Sequence, residues 1–203
     1  ANITPVAIAS GSSLSGGITV TAGSIKLAET GTLASSISMS GGTLDADNSL
    51  TVSGALTHTG NITIDVADTK TLTYSGTAIS LGANTLTLIG GGTLSNTNAL
   101  VLNDANSLLS LAGILTIGDV EGTAASNSGK GILVTSSATL GDYDLSAESY
   151  LAIAANQTLA GQLNLQSNGE LNISGLGRYT GDIALAGGKF SATDSQVLSG
   201  TLS

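Results

Sequence analysis

The 203-residue chain has no cysteine and no tryptophan, and a single proline, histidine and methionine. Without cysteine, disulfides and thiolate-bound metals are excluded. With one histidine, a zinc site would rest almost wholly on carboxylates, a donor set zinc disfavours. Charged residues make up 9%, against about 25% in an ordinary soluble domain. The five basic residues, Lys26, Lys70, Lys130, Arg178 and Lys189, are scattered, so no basic patch points to nucleic acid. No run approaches the roughly 18 consecutive apolar residues of a membrane span. The densest, Leu108 to Ile117, is broken by Ser110, Gly113 and Thr116. No signal peptide is read, because the first basic residue is Lys26 and no long apolar core precedes it. A chain opening on Ala1 is expected to be a processed mature chain or an excised fragment. Aromatics are 2% of residues, so the core is expected to come from Leu, Ile, Val and Ala.

What is there is apolar, small and alternating. Apolar residues reach 41%, too many for charge-driven disorder, and glycine is 28 of 203. Period-two alternation recurs, as in Ile18-Thr19-Val20, Ile62-Thr63-Ile64-Asp65-Val66, Leu86-Thr87-Leu88 and Leu171-Asn172-Ile173. Each stretch puts apolar side chains on one face and Thr, Ser or Asn on the other. Gly, Asn, Asp and Ser lie between these strands and tolerate turns. No helical stripe is sustained. The best helix candidate, Tyr143 to Ala155, itself alternates in its second half.

A longer period lies above the alternation. A seven-residue unit (apolar, four small or polar residues, Ser/Thr, Leu) appears as LAETGTL from Leu27, LDADNSL from Leu44, VADTKTL from Val66 and LNDANSL from Leu102. It returns as VTSSATL from Val134, IAANQTL from Ile153 and, with Glu before the final Leu, LQSNGEL from Leu165. Many closing leucines are separated by 17 to 22 residues, a solenoid-like repeat. The fold expected is all-β: a right-handed parallel β-helix (β-solenoid) of roughly ten short coils, close to 50 Å long at about 4.8 Å per strand. Asn and Asp at equivalent turns are expected to stack from coil to coil. The chain reads as one domain, residues 1–203, with residues 1–15 a possible N-terminal strand arm. A β-sandwich is the structural rival. A 14-residue step through Thr57/Thr59, Thr71/Thr73 and Thr85/Thr87 leaves two phasings open, shorter coils or interleaved faces of a longer one.

The stretch Asn84-Thr85-Leu86-Thr87-Leu88-Ile89-Gly90-Gly91-Gly92-Thr93-Leu94, echoed by Gly41-Gly42-Thr43-Leu44 and Gly31-Thr32-Leu33, resembles the Gly-Thr-Leu repeats of autotransporter passenger domains and related large bacterial surface adhesins. The resemblance implies a right-handed parallel β-helix displayed on, or released from, a bacterial surface. The C-terminal membrane barrel of that family has no counterpart in these residues.

Candidate chemistry is sparse. His58 stands in Thr57-His58-Thr59 with no Ser-His-Asp spacing around it. The acidic candidates for glycoside hydrolysis are Asp45/Asp47, Asp142/Asp144 and Glu148, but basic residues and aromatic platforms are few. Asp45, Asp47, Asp142 and Asp144 are also weak calcium candidates, although neither a β-roll repeat nor an EF-hand pattern is present. Thr57, Thr59, Thr71, Thr73, Thr85 and Thr87 form a possible Thr array of the ice-binding kind, set against the ordinary use of Thr on outward strand positions. No amphipathic capping helix is read at either end, so Val6, Ile8, Val197 and Leu198 mark possible self-assembly ends.

The expectation is a non-catalytic, extracellular structural or adhesive protein of a bacterial surface: a rigid stalk or self-assembling filament subunit, without cofactor or metal. Its expected partners are copies of itself, or a host or neighbouring cell surface, and not nucleic acid or a membrane core. A ligand-binding solenoid for ice or a glycan is the alternative, and a polysaccharide-degrading enzyme the third reading.

Overall fold

The computed structural model describes residues 16–27, 30–113, 115–193 and 197–203. Every named element is a strand, and every ladder is parallel. The chain winds as a β-solenoid with three faces. The first face is one continuous sheet of nine strands, from Ser24–Leu27 to Lys189–Ala192. One coil shows the layout. Ile62–Val66 lies on the first face, Thr71–Tyr74 on the second and Ile79–Ser80 on the third, and Thr85–Ile89 returns to the first. Parallel ladders throughout exclude the sandwich, whose sheets are antiparallel.

Coil length varies. The step is 19 residues from Ile25 to its partner Leu44, but 24 from Ile64 to its partner Leu88. Among the described residues nine rungs span the first face, in keeping with the roughly ten coils expected. The seven-residue units mark two different corners. Those from Val66, Val134 and Ile153 turn from the first face to the second, while those from Leu102 and Leu165 turn from the third face to the first. The two phasings are therefore the interleaved faces of one long coil.

Alternation decides what is buried. In Ile62–Val66 the apolar residues Ile62, Ile64 and Val66 point inward and Thr63 and Asp65 outward. Registered inward columns follow, such as Ile25, Leu44, Ile64, Leu88, Leu111, Val134 and Ile153, each almost fully buried. One coil cannot enclose its own apolar face, so each relies on its neighbours. Burial of each such side chain contributes about 1.5–3 kcal/mol, set against the entropy of ordering the chain. The same alternation makes Tyr143 to Ala155 strand and not helix: Tyr143, Leu145, Ser149, Leu151 and Ile153 are all inward in Ala138–Leu145 and Glu148–Ile153.

The core is not purely aliphatic. Tyr74, Tyr143 and Tyr179 are among its largest buried side chains. Each reaches a polar partner near a corner, as a buried phenol must. The Tyr143 hydroxyl is 2.6 Å from Ser149 Oγ, and that of Tyr179 lies 3.2 Å from the Asp182 carbonyl. The Tyr74 hydroxyl does more. On the third face Leu56–His58 and Ile79–Ser80 are successive strands with no ladder between them. Earlier rungs donate the equivalent amide to the next coil, as Ile37 N–H does to Ala55. Leu56 N–H instead donates to the Tyr74 hydroxyl at 2.9 Å, which donates to the Thr77 carbonyl at 2.8 Å. One phenol thus bridges an interrupted seam.

At the corner between second and third faces the late coils straighten. Ala138–Leu145 and Thr158–Leu165 are eight-residue strands that run through both faces. Gly118, Gly141, Gly161, Gly181 and Gly200 stack along this corner. A Cβ on Gly181 would sit 1.8 Å from the Gly161 carbonyl oxygen, and one on Gly200 1.9 Å from that of Gly181. Coil-to-coil amide contacts occur as expected. Asn127 Nδ2 donates to Asn106 Oδ1 at 2.9 Å, while Asn61 Oδ1 and Asn103 Oδ1 accept from neighbouring backbone amides.

Candidate functional site

The six threonines do not form one array. Thr57 belongs to the third face, Thr71 and Thr73 to the second, and Thr85 and Thr87 to the first, while Thr59 follows the third-face strand. Their 14-residue step counts two faces of a three-faced coil each time, so successive steps land on different faces. Register gives shorter outward Thr columns instead: Thr71, Thr93, Thr116 and Thr139 on the second face, Thr32, Thr51 and Thr73 beside it, and Thr43, Thr63 and Thr87 on the first face. The first of these borders a shallow groove of about 280 Å³.

Three of the acidic candidates, Asp45, Asp47 and Asp144, are already engaged. Register sets Lys26 beside Asp45. Its Nζ lies 2.5 Å from Asp47 and 3.9 Å from Asp45, so an ammonium stands where a calcium ion would bind. The hydrogen bond from Lys26 holds the Asp47 carboxyl below the usual carboxylate range. Partial burial, with Asp47 beside it, pushes that of Asp45 up. Asp142 and Asp144 flank inward Tyr143 on the third face, and Asp144 accepts from Asn164 at 2.7 Å. Among the described residues no group of three or more His, Cys, Asp or Glu is arranged to hold a metal ion.

His58 is partnered in register with Met39, a core position. Its Nδ1 lies 3.0 Å from the Gly60 carbonyl, which makes that nitrogen the proton donor. Its Nε2 is buried without a hydrogen-bond partner. Val197 and Leu198 belong to the last strand, Val197–Ser199, and expose 49% and 42% of their surface. Val6 and Ile8, like the proposed arm of residues 1–15, lie outside the described residues.

The remaining acid, Glu148, leads to the most developed site. On the first face, Glu148–Ile153 turns Glu148, Tyr150 and Ala152 outward. Glu148 Oε1 accepts from the Tyr150 hydroxyl and from Asn172 Nδ2, both at 3.1 Å. Ser191 Oγ donates in turn to Asn172 Oδ1. The hydrogen bond to Glu148 pushes the Tyr150 hydroxyl above its ordinary pKa, so the ring stays neutral. Of the four tyrosines, Tyr150 alone faces outward. The column through it reads Leu108, Gly131, Tyr150, Asn172, Ser191. Gly131 takes φ +92°, and a Cβ there would sit 2.2 Å from the Tyr150 carbonyl oxygen. No side chain therefore flanks the tyrosine on that rung, and a cleft of about 430 Å³ opens between Tyr150 and the Ser128–Lys130 turn, over Leu133 and Ala152.

Sequence reasoning passed over Tyr150 and Asn172. The signal was present: once Leu151 and Ile153 are taken as inward, Tyr150 falls on the outward phase. The column partners were hidden, because register across 19 to 22 residues is set by unequal coils.

Comparison with protein-family models, with curated proteins and with solved structures finds no match.

Proposed function

We propose that the chain is a non-catalytic structural module: a stiff β-solenoid stalk carried outside the cell on a bacterial surface. The observation that carries this reading is the nine-strand ladder of the first face, which continues across every change of coil length. Such a ladder resists bending, because each rung hydrogen-bonds to the next along the axis. Low charge and outward Ser and Thr give long, uniform sides. The likeness of Asn84 to Leu94 to autotransporter passenger and surface-adhesin repeats supports the surface location.

The reading extends to end-to-end association of copies. The last described rung presents Leu198 and Leu202 at 42% and 62% exposure. Leu198 registers with buried Tyr179, and Leu202 bridges to Ile183, so both are inward positions without an apolar cover. A strand edge over apolar side chains is a template for another strand, whether of a further coil or of a second copy.

Small-angle scattering and electron microscopy of the full chain test both parts. The stalk reading expects a rod whose described portion is about 40 Å long at roughly 4.8 Å per rung; a near-spherical particle overturns it. Association expects particles that lengthen with concentration at constant width, and that stop doing so in Leu198→Lys/Leu202→Lys. Unchanged length into the millimolar range refutes association alone.

A further inference from the structure

We propose that the first-face cleft beside Tyr150 is a binding site for a neutral pyranose sugar, in which the tyrosine ring stacks on the sugar's C–H face and Asn172, held in place by Glu148, engages its hydroxyls.

Three observations carry this. The first is the ring's placement. In a chain with four tyrosines and one phenylalanine, three tyrosines lie in the core and Phe190 packs against it. Tyr150 stands outside, with the flanking rung position kept bare by Gly131. A ring face carries negative charge density, and the axial C–H groups of a pyranose are its electropositive complement. The second is preorganisation. Ser191, Asn172, Glu148 and Tyr150 form one hydrogen-bonded row across three rungs. A ligand would meet side chains already ordered, which lowers the entropic cost of binding. Asn172 lines the cleft, and its amide retains a second N–H that can donate to a sugar hydroxyl oxygen. The third is shape. The cleft holds about 430 Å³ over the apolar Leu133 and Ala152, within the range of roughly 300–1,000 Å³ typical of small-molecule sites.

Charge selects the sugar class. Glu148 and Glu170 are register partners on adjacent rungs, and Lys189 approaches Glu170 at 4.0 Å. Lys130 is the one cation lining the cleft itself. Two carboxylates and two ammonium groups leave no excess charge around the cleft, which suits a neutral sugar. The site does not depend on the stalk reading; a solenoid that never assembles could still hold it.

The test is saturation-transfer NMR on the full chain with three probes: methyl β-glucopyranoside, methyl β-galactopyranoside and glucuronate. The expected result is transfer to the ring C–H protons of at least one neutral glycoside. Affinity should fall about tenfold or more in Tyr150→Ala, roughly the loss of one good contact. It should stay unchanged in Thr139→Ala on the second-face groove. Ala152→Trp, which fills the cleft and leaves the tyrosine in place, should abolish transfer and serves if Tyr150→Ala fails to fold. Circular dichroism establishes that each variant keeps the wild-type fold. Transfer to none of the probes overturns the proposal. So does transfer that survives Tyr150→Ala or Ala152→Trp, or a preference for glucuronate that disappears in Lys130→Ala.

Discussion

The Tyr74 hydroxyl offers the sharpest test of how the solenoid manages its interrupted third face. Tyr74→Phe removes one oxygen and leaves the ring, so packing changes little. The loss falls on two partners. Leu56 is 2% exposed, and its N–H loses its acceptor at 2.9 Å. A buried donor left unpaired costs about 1–3 kcal/mol. The Thr77 carbonyl, which accepts at 2.8 Å, belongs to an exposed residue and recovers a water. The net expectation is therefore a loss of about 1–3 kcal/mol. At about 2–4 °C per kcal/mol for a chain of this size, Tm should fall by roughly 2–12 °C. Urea denaturation followed by far-UV circular dichroism reads the global change. Because stacked coils can unfold in segments, amide exchange at Leu56 gives the local readout, and its protection should drop with the hydroxyl. Tyr150→Phe, at an outward position, should change stability by less than about 0.5 kcal/mol. The bridging role is refuted if Tyr74→Phe stays within about 0.5 kcal/mol of wild type and Leu56 exchange is unaltered.

Gly181→Ala should destabilise by about 2–4 kcal/mol in the same denaturation assay, because the new Cβ would lie 1.8 Å from the Gly161 carbonyl oxygen. Gly17→Ala, with open space around it, should be neutral. Stability should also be lost on the alkaline side. Burial raises the Tyr143 and Tyr179 hydroxyls above the ordinary value of 10.0 in the folded chain, so the folded state keeps protons that the unfolded chain releases. Their contribution is complete below pH 10 and declines as pH rises beyond it; Tm between pH 8 and 11.5 measures this, and Tyr143→Phe should flatten the decline.

Strand content and the solenoid itself were legible because alternation needs only neighbouring residues. Ile62 to Val66 declares its inward face without reference to any other coil. The three-faced section was not legible. Similar seven-residue units occupy two kinds of corner, since both corners pose one physical problem, turning a strand between two apolar positions with small polar residues. The Thr step at 57, 71 and 85 was misleading for the same reason, as a regular count along the chain does not mean a return to one face. Low aromatic content implies an aliphatic core and hides the core tyrosines, whereas Tyr74, Tyr143 and Tyr179 place their hydroxyls near corners where polar partners remain. The Tyr150 cleft required register between coils of unequal length. That register is fixed by long-range backbone pairing, such as Ile132 with Leu151, and is not written in any local segment.

The glycine column at the corner of the second and third faces bears on how this molecule can change length. The late glycines are fitted to the carbonyl of the coil before them, as Gly200 is to Gly181 and Gly181 to Gly161. A deletion of one residue within a coil would set a side chain against that carbonyl and reverse the inward face of every strand up to the next compensating loop. Removal or duplication of a whole coil would do neither, since a glycine would again meet a carbonyl and a leucine a leucine. Gene slippage by a full coil is therefore tolerated along the stack, whereas slippage by a codon is absorbed only at the looser corners, where coils of 19 and 24 residues already coexist. Length in such a protein should vary among descendants in quanta of one rung, about 4.8 Å at a time.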